Sequence, residues 1–271
     1  MKRKKKIPLV VLSDVHLGTY GCQANELLQY LKSIQPKMLV LNRYIIDMWS
    51  FSKRYSPASH MNVLRQIIKM SNQGTRVIYI TGNHDEALRK YSDFILGNFE
   101  LADKLILDLD GKKPSIFHGD VFDSSTKGYA KILAKLGGKG YDLLILINSC
   151  INWVLVLFGK EKRSYSKMIK ESVKKAVSFV SNFETTAAEI AIKKKYINVV
   201  CGHIHKPQMR EVENEFGKVM YLNSGDWVEN LIALEYKKEK WSIYQYKKTD
   251  YIDHEKKEDA IINDIVTKIL S

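Results

Sequence analysis

Five of the seven histidines fall in four short stretches: SDVHLG (Asp14, His16), TGNHDE (Asn83, His84), FHGD (His118) and CGHIHKP (His203, His205). Each follows a predicted strand. In open α/β sheets the loops at the strand ends converge on one crevice, which is where ligand sites form. A single histidine on an apolar face is usually structural. Five of them, with an aspartate and an asparagine at successive strand ends, point instead to a metal centre. Imidazole, carboxylate and amide oxygen together suit Mn²⁺, Fe²⁺ or Zn²⁺. Cysteine is almost absent from these stretches, which argues against a structural zinc site.

Short apolar runs rich in branched residues must position these loops. They are 7–12 (IPLVVL), 37–41 (KMLVL), 76–80 (RVIYI), 104–108 (KLILD) and 197–201 (INVVC), and they read as strands buried on both faces. Between them, 22–34 and 60–73 carry apolar residues at helical spacing. Strand–helix–strand alternation implies an α/β sheet with helices packed outside. The segments 218–223, 230–236 and 241–247 alternate like antiparallel strands that extend or face that sheet.

At 271 residues and 45% hydrophobic content, the chain can bury one large core, with or without a small appended domain. Residues 124–195 break the α/β rhythm and read as a helical insertion between a core of 1–123 and 196–271. Within it, 141–158 is nearly continuous apolar sequence. It is shorter than the roughly 20 residues a transmembrane helix needs, and it contains Asp142, Asn148 and Asn152. From Met168 to Ala187 apolar residues recur at 3.6 spacing. The two readings of this insertion are a helical hairpin packed on the core and an interfacial lid with lysines on its margins.

The net charge of +13 is concentrated in two places. Residues 124–195 hold 14 Lys/Arg against 5 Asp/Glu, and KRKKK at 2–6 adds five more, so the remainder is close to neutral. This asymmetry suits an anionic partner: a phosphorylated substrate, a phospholipid surface or nucleic acid. Three scattered cysteines exclude a disulfide framework and fit a cytoplasmic protein. The basic start followed by six apolar residues imitates a signal peptide but has no cleavage site, so it is read as a first strand.

The motif set resembles that of the calcineurin-like metallophosphoesterases: D-x-H, G-D, G-N-H-D/E, a single His, and G-H-x-H. Four of the five blocks are present, in order, over residues 8–206. The DMW after the second block, the basic insertion and LNSGDWVEN at 222–230 resemble the UDP-2,3-diacylglucosamine diphosphatase branch. The resemblance implies a β-sandwich flanked by helices, with one metal held by Asp14, His16 and His205. A second would be held by Asn83, His118 and His203, and His84 would stabilise or protonate the phosphate. It implies two divalent ions, Mn²⁺ first and Zn²⁺ or Fe²⁺ as alternatives. The implied reaction releases UMP and a lipid monophosphate at the inner face of the cytoplasmic membrane, with Trp153 and Leu157 of the lid meeting the acyl chains. No protein partner is evident.

One block departs. The family's Gly-Asp stands here as Arg43-Tyr44, and the missing aspartate is the residue that bridges both metals. A carboxylate offers two oxygens and ionises near pH 4, whereas a phenol offers one and ionises near pH 10. Asp47, one helical turn on, is a possible substitute. Arg43 in place of glycine would be strained wherever the turn needs positive φ. Three accounts of the pair stand side by side: a natural loss of one metal or of activity, an altered or erroneous pair in an active enzyme, and a modified site with different metal use. Two other functional readings also stand. One is a nucleotide or nucleic-acid phosphoesterase, ranked lower because the insertion lacks interleaved aromatics. The other is a metal-depleted phosphate-binding protein.

Overall fold

A computed structural model of the chain describes residues 4–47, 57–81, 94–102, 104–107, 114–116 and 166–251. The expected residues Asn83, His84, His118, Trp153 and Leu157, and the run 141–158, lie outside them. The chain divides into two compact units, Met1–His118 with Ala187–Ser271, and Gly119–Thr186. The described part of the second unit is helical: it is the start of α3 (Ser166–Lys193), whose last turns belong to the first unit.

The first unit is a mixed α/β layer structure. A seven-stranded sheet runs β12–β11–β1–β2–β3–β5–β4, where β1 is Lys5–Ser13, β2 Ile34–Asn42, β3 Arg76–Ile80, β4 Ile95–Leu96, β5 Phe99–Ala102, β11 Ile232–Lys237 and β12 Lys240–Gln245. A five-stranded sheet runs β6–β7–β8–β10–β9, with β6 Leu105–Ile106, β7 Pro114–Ile116, β8 Asn198–Cys201, β9 Gln208–Asn214 and β10 Gly217–Asn223. Strands β1, β2, β3 and β5 are parallel, and the second sheet has a parallel centre of β7, β8 and β10.

Period-two alternation of β1 explains the layering. Leu9 and Val11 join Val40, Ile78, Ile80, Ile116, Val200 and Leu222 in the core between the two sheets. Val10 and Leu12 face the other way, into a core with Leu27, Tyr30 and Leu31 of α1 (Ala24–Ser33) and Val63, Ile67 and Met70 of α2 (Ala58–Asn72). Both faces of β1 are therefore dry, which is why its sequence is a continuous apolar run. Of the later segments, β11 extends the first sheet antiparallel to β1 and β12 adds antiparallel to β11, whereas β10 pairs in the second sheet.

Polar residues become buried where the strands end. Ser13, Asp14, Asn42, Arg43, Thr81, Asn223, Ser224 and Asp226 are all buried at or just beyond the C-terminal ends of β1, β2, β3 and β10. Burying polar groups is costly unless they are paired or hold something. Their concentration at one edge of the unit marks the site.

Candidate metal centre

The loops after β1 and β2 run side by side. Asp14 N–H donates to Arg43 O (3.3 Å), His16 N–H to Tyr44 O (2.7 Å), Leu17 N–H to Ile45 O (2.8 Å) and Asp47 N–H to Leu17 O (2.8 Å). The β1 loop is also tied to α2: Gly18 N–H donates to His60 Nδ1 at 2.9 Å. That bond uses the neutral imidazole, in keeping with burial lowering the His60 pKa. His60 lies outside every motif, and its role emerges only from this contact.

The loop after β8 closes over Asp14. His203 N–H donates to Asp14 Oδ2 at 3.1 Å, and His205 Nε2 lies 3.3 Å from Asp14 Oδ1. Gly202 makes this approach possible. A Cβ there would stand 2.7 Å from Asp14 Oδ2, closer than real Cβ contacts come, and a tight 3.0 Å from the Ser13 side chain. Behind the loop, Ser13 Oγ lies 2.7 Å from Ser224 Oγ and donates to Gly225 O, while Asn223 Nδ2 donates to Gly202 O at 3.0 Å.

These loops bring Asp14, His16 and His205 together, with one ligand atom from each lying within 4.8 Å of the others. Ligands about 2.0–2.2 Å from a single ion are at most about 4.4 Å apart. The group thus needs only small side-chain movements to close on one cation, and its donors, one carboxylate oxygen and two imidazole nitrogens, suit a divalent metal. Of the other expected ligands among the described residues, His203 contributes its backbone N–H to Asp14 and does not join the group. Asp47 does not join it either; its charge acts on His16 from a distance.

The electrostatics divide the two histidines. Burial pulls the His16 pKa down, only partly opposed by Asp14, so His16 stays neutral and ready to ligate. Burial also works to lower His205, but the hydrogen bond and charge of Asp14, with Asp226 and Glu229, outweigh it and raise the pKa to about 9. Without a metal, His205 and Asp14 form an ion pair.

Position 44 sits beside this group. The Tyr44 ring stacks on His16 with centroids 5.4 Å apart and planes at 9°. Both residues of the departed pair have left-handed backbones, Arg43 at φ 62° and Tyr44 at φ 47°. The strain expected for a side chain at the glycine position is therefore present. Arg43 is buried, and its Nε donates to Thr81 O at the end of β3. Its neighbour Asn42 is fully buried with no hydrogen-bond partner for either amide atom among the described residues. Such an orphaned amide costs free energy unless a polar occupant meets it.

Two sheets with flanking helices and an aspartate–histidine–histidine group at the strand ends define an α/β protein with a candidate divalent-metal centre. The sequence profile of the calcineurin-like phosphoesterases matches residues 7–207. The chain belongs to that family, whose members are metal-dependent phosphoester hydrolases. It is 28% identical over 224 residues to the UDP-2,3-diacylglucosamine hydrolase of Neisseria gonorrhoeae (strain ATCC 700825 / FA 1090), covering 81% of this chain and 90% of that protein. To the enzyme of the same name from Aliivibrio fischeri (strain MJ11) it is 21% identical over 246 residues, covering 88% and 98%. Among solved structures, a novel archaeal phosphodiesterase aligns at 14% identity with a TM-score of 0.43, covering 88% of this chain and 98% of that one.

Proposed function

We propose that the protein hydrolyses the diphosphate of UDP-2,3-diacylglucosamine, or of a related lipid-linked diphosphate, to UMP and a lipid monophosphate. The observation that carries this reading is the similarity to hydrolases of that name over four-fifths or more of the chain, joined to the Asp14–His16–His205 group. Asp14, His16 and His205 hold one divalent cation, Mn²⁺ in preference to Zn²⁺ or Fe²⁺. Asn83, His118 and His203 are the residues for a second. When bound, such cations polarise phosphoryl oxygens and lower the pKa of water.

The chain's own groups do the rest. Asp14 turns one oxygen to the His203 backbone and the other toward His205, so its carboxylate is held at the centre of the site. His16 stays neutral and stacked on Tyr44. His84 is the residue assigned to stabilise or protonate the phosphate. Trp153 and Leu157, in the insertion 124–195 between 1–123 and 196–271, are the residues proposed to meet the acyl chains. The insertion's lysines meet anionic headgroups on the cytoplasmic face. Among the described residues no helix is long and apolar enough to cross a membrane, and the proposed attachment is peripheral.

The assay is release of UMP from UDP-2,3-diacylglucosamine with Mn²⁺ present. Replacing Trp153 and Leu157 with serine should slow hydrolysis of the diacylated substrate about 10-fold and leave a small soluble phosphodiester almost unaffected. Equal losses on both substrates with a lower melting temperature would identify an ordinary hairpin. No UMP release under any divalent metal would favour a second reading, a phosphate-binding relative without turnover. The stacking of Tyr44 on His16 at the bridging position supports that alternative.

A further inference from the structure

The segment after β10, NSGDWVEN at 223–230, adds no side chain to the Asp14–His16–His205 group, yet it surrounds the far side of His205. We propose that Asp226 and Asn230 are positioning residues that fix the His205 imidazole in its ligating pose, so that metal affinity depends on them. This rests on reading Asp14, His16 and His205 as metal ligands.

Asp226 is fully buried. Its Oδ1 accepts the backbone N–H groups of Val228 (2.8 Å), Glu229 (2.6 Å) and Asn230 (3.2 Å). Three donors on one oxygen immobilise the carboxylate and set the direction of the other oxygen. Oδ2 accepts from Asn230 Nδ2 at 2.5 Å and lies 4.0 Å from His205 Nδ1. The same Asn230 Nδ2 donates to the His205 carbonyl at 3.1 Å, which holds the residue in its left-handed backbone at φ 49°. On the opposite edge of the ring, Nε2 faces Asp14 at 3.3 Å.

One ring nitrogen of His205 thus points into the ligand group and the other toward a buried, fixed carboxylate. Metal-ligating histidines are characteristically oriented this way, with the non-ligating N–H given to a carboxylate that selects the tautomer. A movement of roughly 1 Å would bring Nδ1–H to hydrogen-bond distance of Asp226. It would leave the Nε2 lone pair for the cation. The loop is anchored from beneath as well: Trp227 N–H donates to Asp14 O at 3.1 Å, and the buried indole stacks on Tyr30 at 5.5 Å. A shift of Asp226 would therefore be felt at both ends of the ligand group.

The competing role for Asp226 is a cap for its own turn. Asp226→Asn separates the two, because its amide oxygen still accepts from the three backbone N–H groups while the anionic oxygen facing His205 is lost. Asn230→Ala removes the other contact without touching the cap. The readouts are Co²⁺ affinity by chelator competition, the visible spectrum of bound Co²⁺, and the melting temperature of the metal-free protein. Each variant is expected to weaken Co²⁺ binding about 10- to 100-fold and alter the spectrum, with the metal-free melting temperature within about 2 °C of the parent. Unchanged affinity in both variants, or losses that track the melting temperature, would overturn the proposal. Should Asp226→Asn fail to fold, Asn230→Ala decides alone. His205→Ala distinguishes the underlying reading: full Co²⁺ affinity there would remove His205 as a ligand. Loss there with parent-like affinity in the other two variants would remove only the positioning role.

Discussion

The loop after β8 and the turn after β2 face the same site, and they are matched to it in opposite ways. The β8 loop must pass within contact of Asp14, and it carries Gly202 at the one point where a Cβ would collide. The β2 turn must pass through the left-handed region twice, and it carries Arg43 and Tyr44 there. Left-handed backbone costs about 1–3 kcal/mol for such residues. The β8 loop also runs left-handed, at His203 (φ 73°) and His205 (φ 49°), but it keeps the glycine its close approach requires; the β2 turn has no glycine at either of its left-handed positions. Neighbouring strands and the hydrogen bonds from Asp14, His16 and Leu17 dictate the path of the β2 turn with Arg43 and Tyr44 in it.

The largest expected effect comes from rematching the second loop. The double substitution Arg43→Gly, Tyr44→Asp should place a carboxylate beside His16 and relieve the turn. With Mn²⁺ present, hydrolysis of the diphosphate should rise by about two or more orders of magnitude, as expected when the nucleophile lies between two cations. Tyr44→Phe sharpens the comparison. Loss of residual activity would mean the phenol oxygen takes part, and unchanged activity would mean the ring only fills space. An unmodified protein as fast as the Gly-Asp version would remove position 44 from the account.

Mismatching the first loop should have the next largest effect. Gly202→Ala forces the β8 loop away from Asp14 and Ser13, at a cost of about 1–3 kcal/mol in stability, and should weaken metal binding by at least about 10-fold. Both can be followed by denaturant unfolding and chelator competition. A variant with parent-like values in each would show that the close approach is not needed.

How far these two loops could be read in advance differs with the kind of signal each carries. Strands β1, β2 and β3 were legible because both their faces are buried, leaving apolar runs bounded by polar loops. Others were not. Strand β9, QMREVEN, is half-exposed along its length, and β4 and β7 are two or three residues long, too short for any periodicity to register; of the described residues in the expected run 104–108, only Leu105–Ile106 form a strand, β6. At the site, Asp14, His16 and His205 declared themselves by residue type and position, and the strain at Arg43 followed from its standing in for a glycine. His60 carries no such mark, and Asp226 and Asn230 stand in a stretch, LNSGDWVEN, that pointed to a family branch without giving either a role. Each acts through a contact 25 or more positions away in the chain or through a local turn, and only the folded geometry brings these together.

A further effect is expected from pH, with opposite signs for stability and metal binding. The His205 pKa is raised from 6.5 to about 9 in the folded protein. Protonation is therefore favoured in the native state, and the stabilisation it gives is complete below pH 6.5 and lost as pH rises through 9. The metal-free protein should melt at a lower temperature at pH 9.5 than at pH 6.5. Loading a cation must displace that proton, so Co²⁺ affinity should climb about 10-fold per pH unit between about 7 and 9. His16, held neutral by burial, adds nothing in that window. A flat affinity profile would mean that His205 is not displaced from its pairing with Asp14.

The most direct test of the contrast between the two loops is the metal content of the chain after brief chelation and repletion with Mn²⁺, measured by elemental analysis. With Asp14, His16 and His205 assembled and Tyr44 at the bridging position, at most one tightly held equivalent per chain is expected, rising toward two in the Arg43→Gly, Tyr44→Asp protein. Two tightly held equivalents in the unmodified chain would contradict the claim that Tyr44 breaks the bridge.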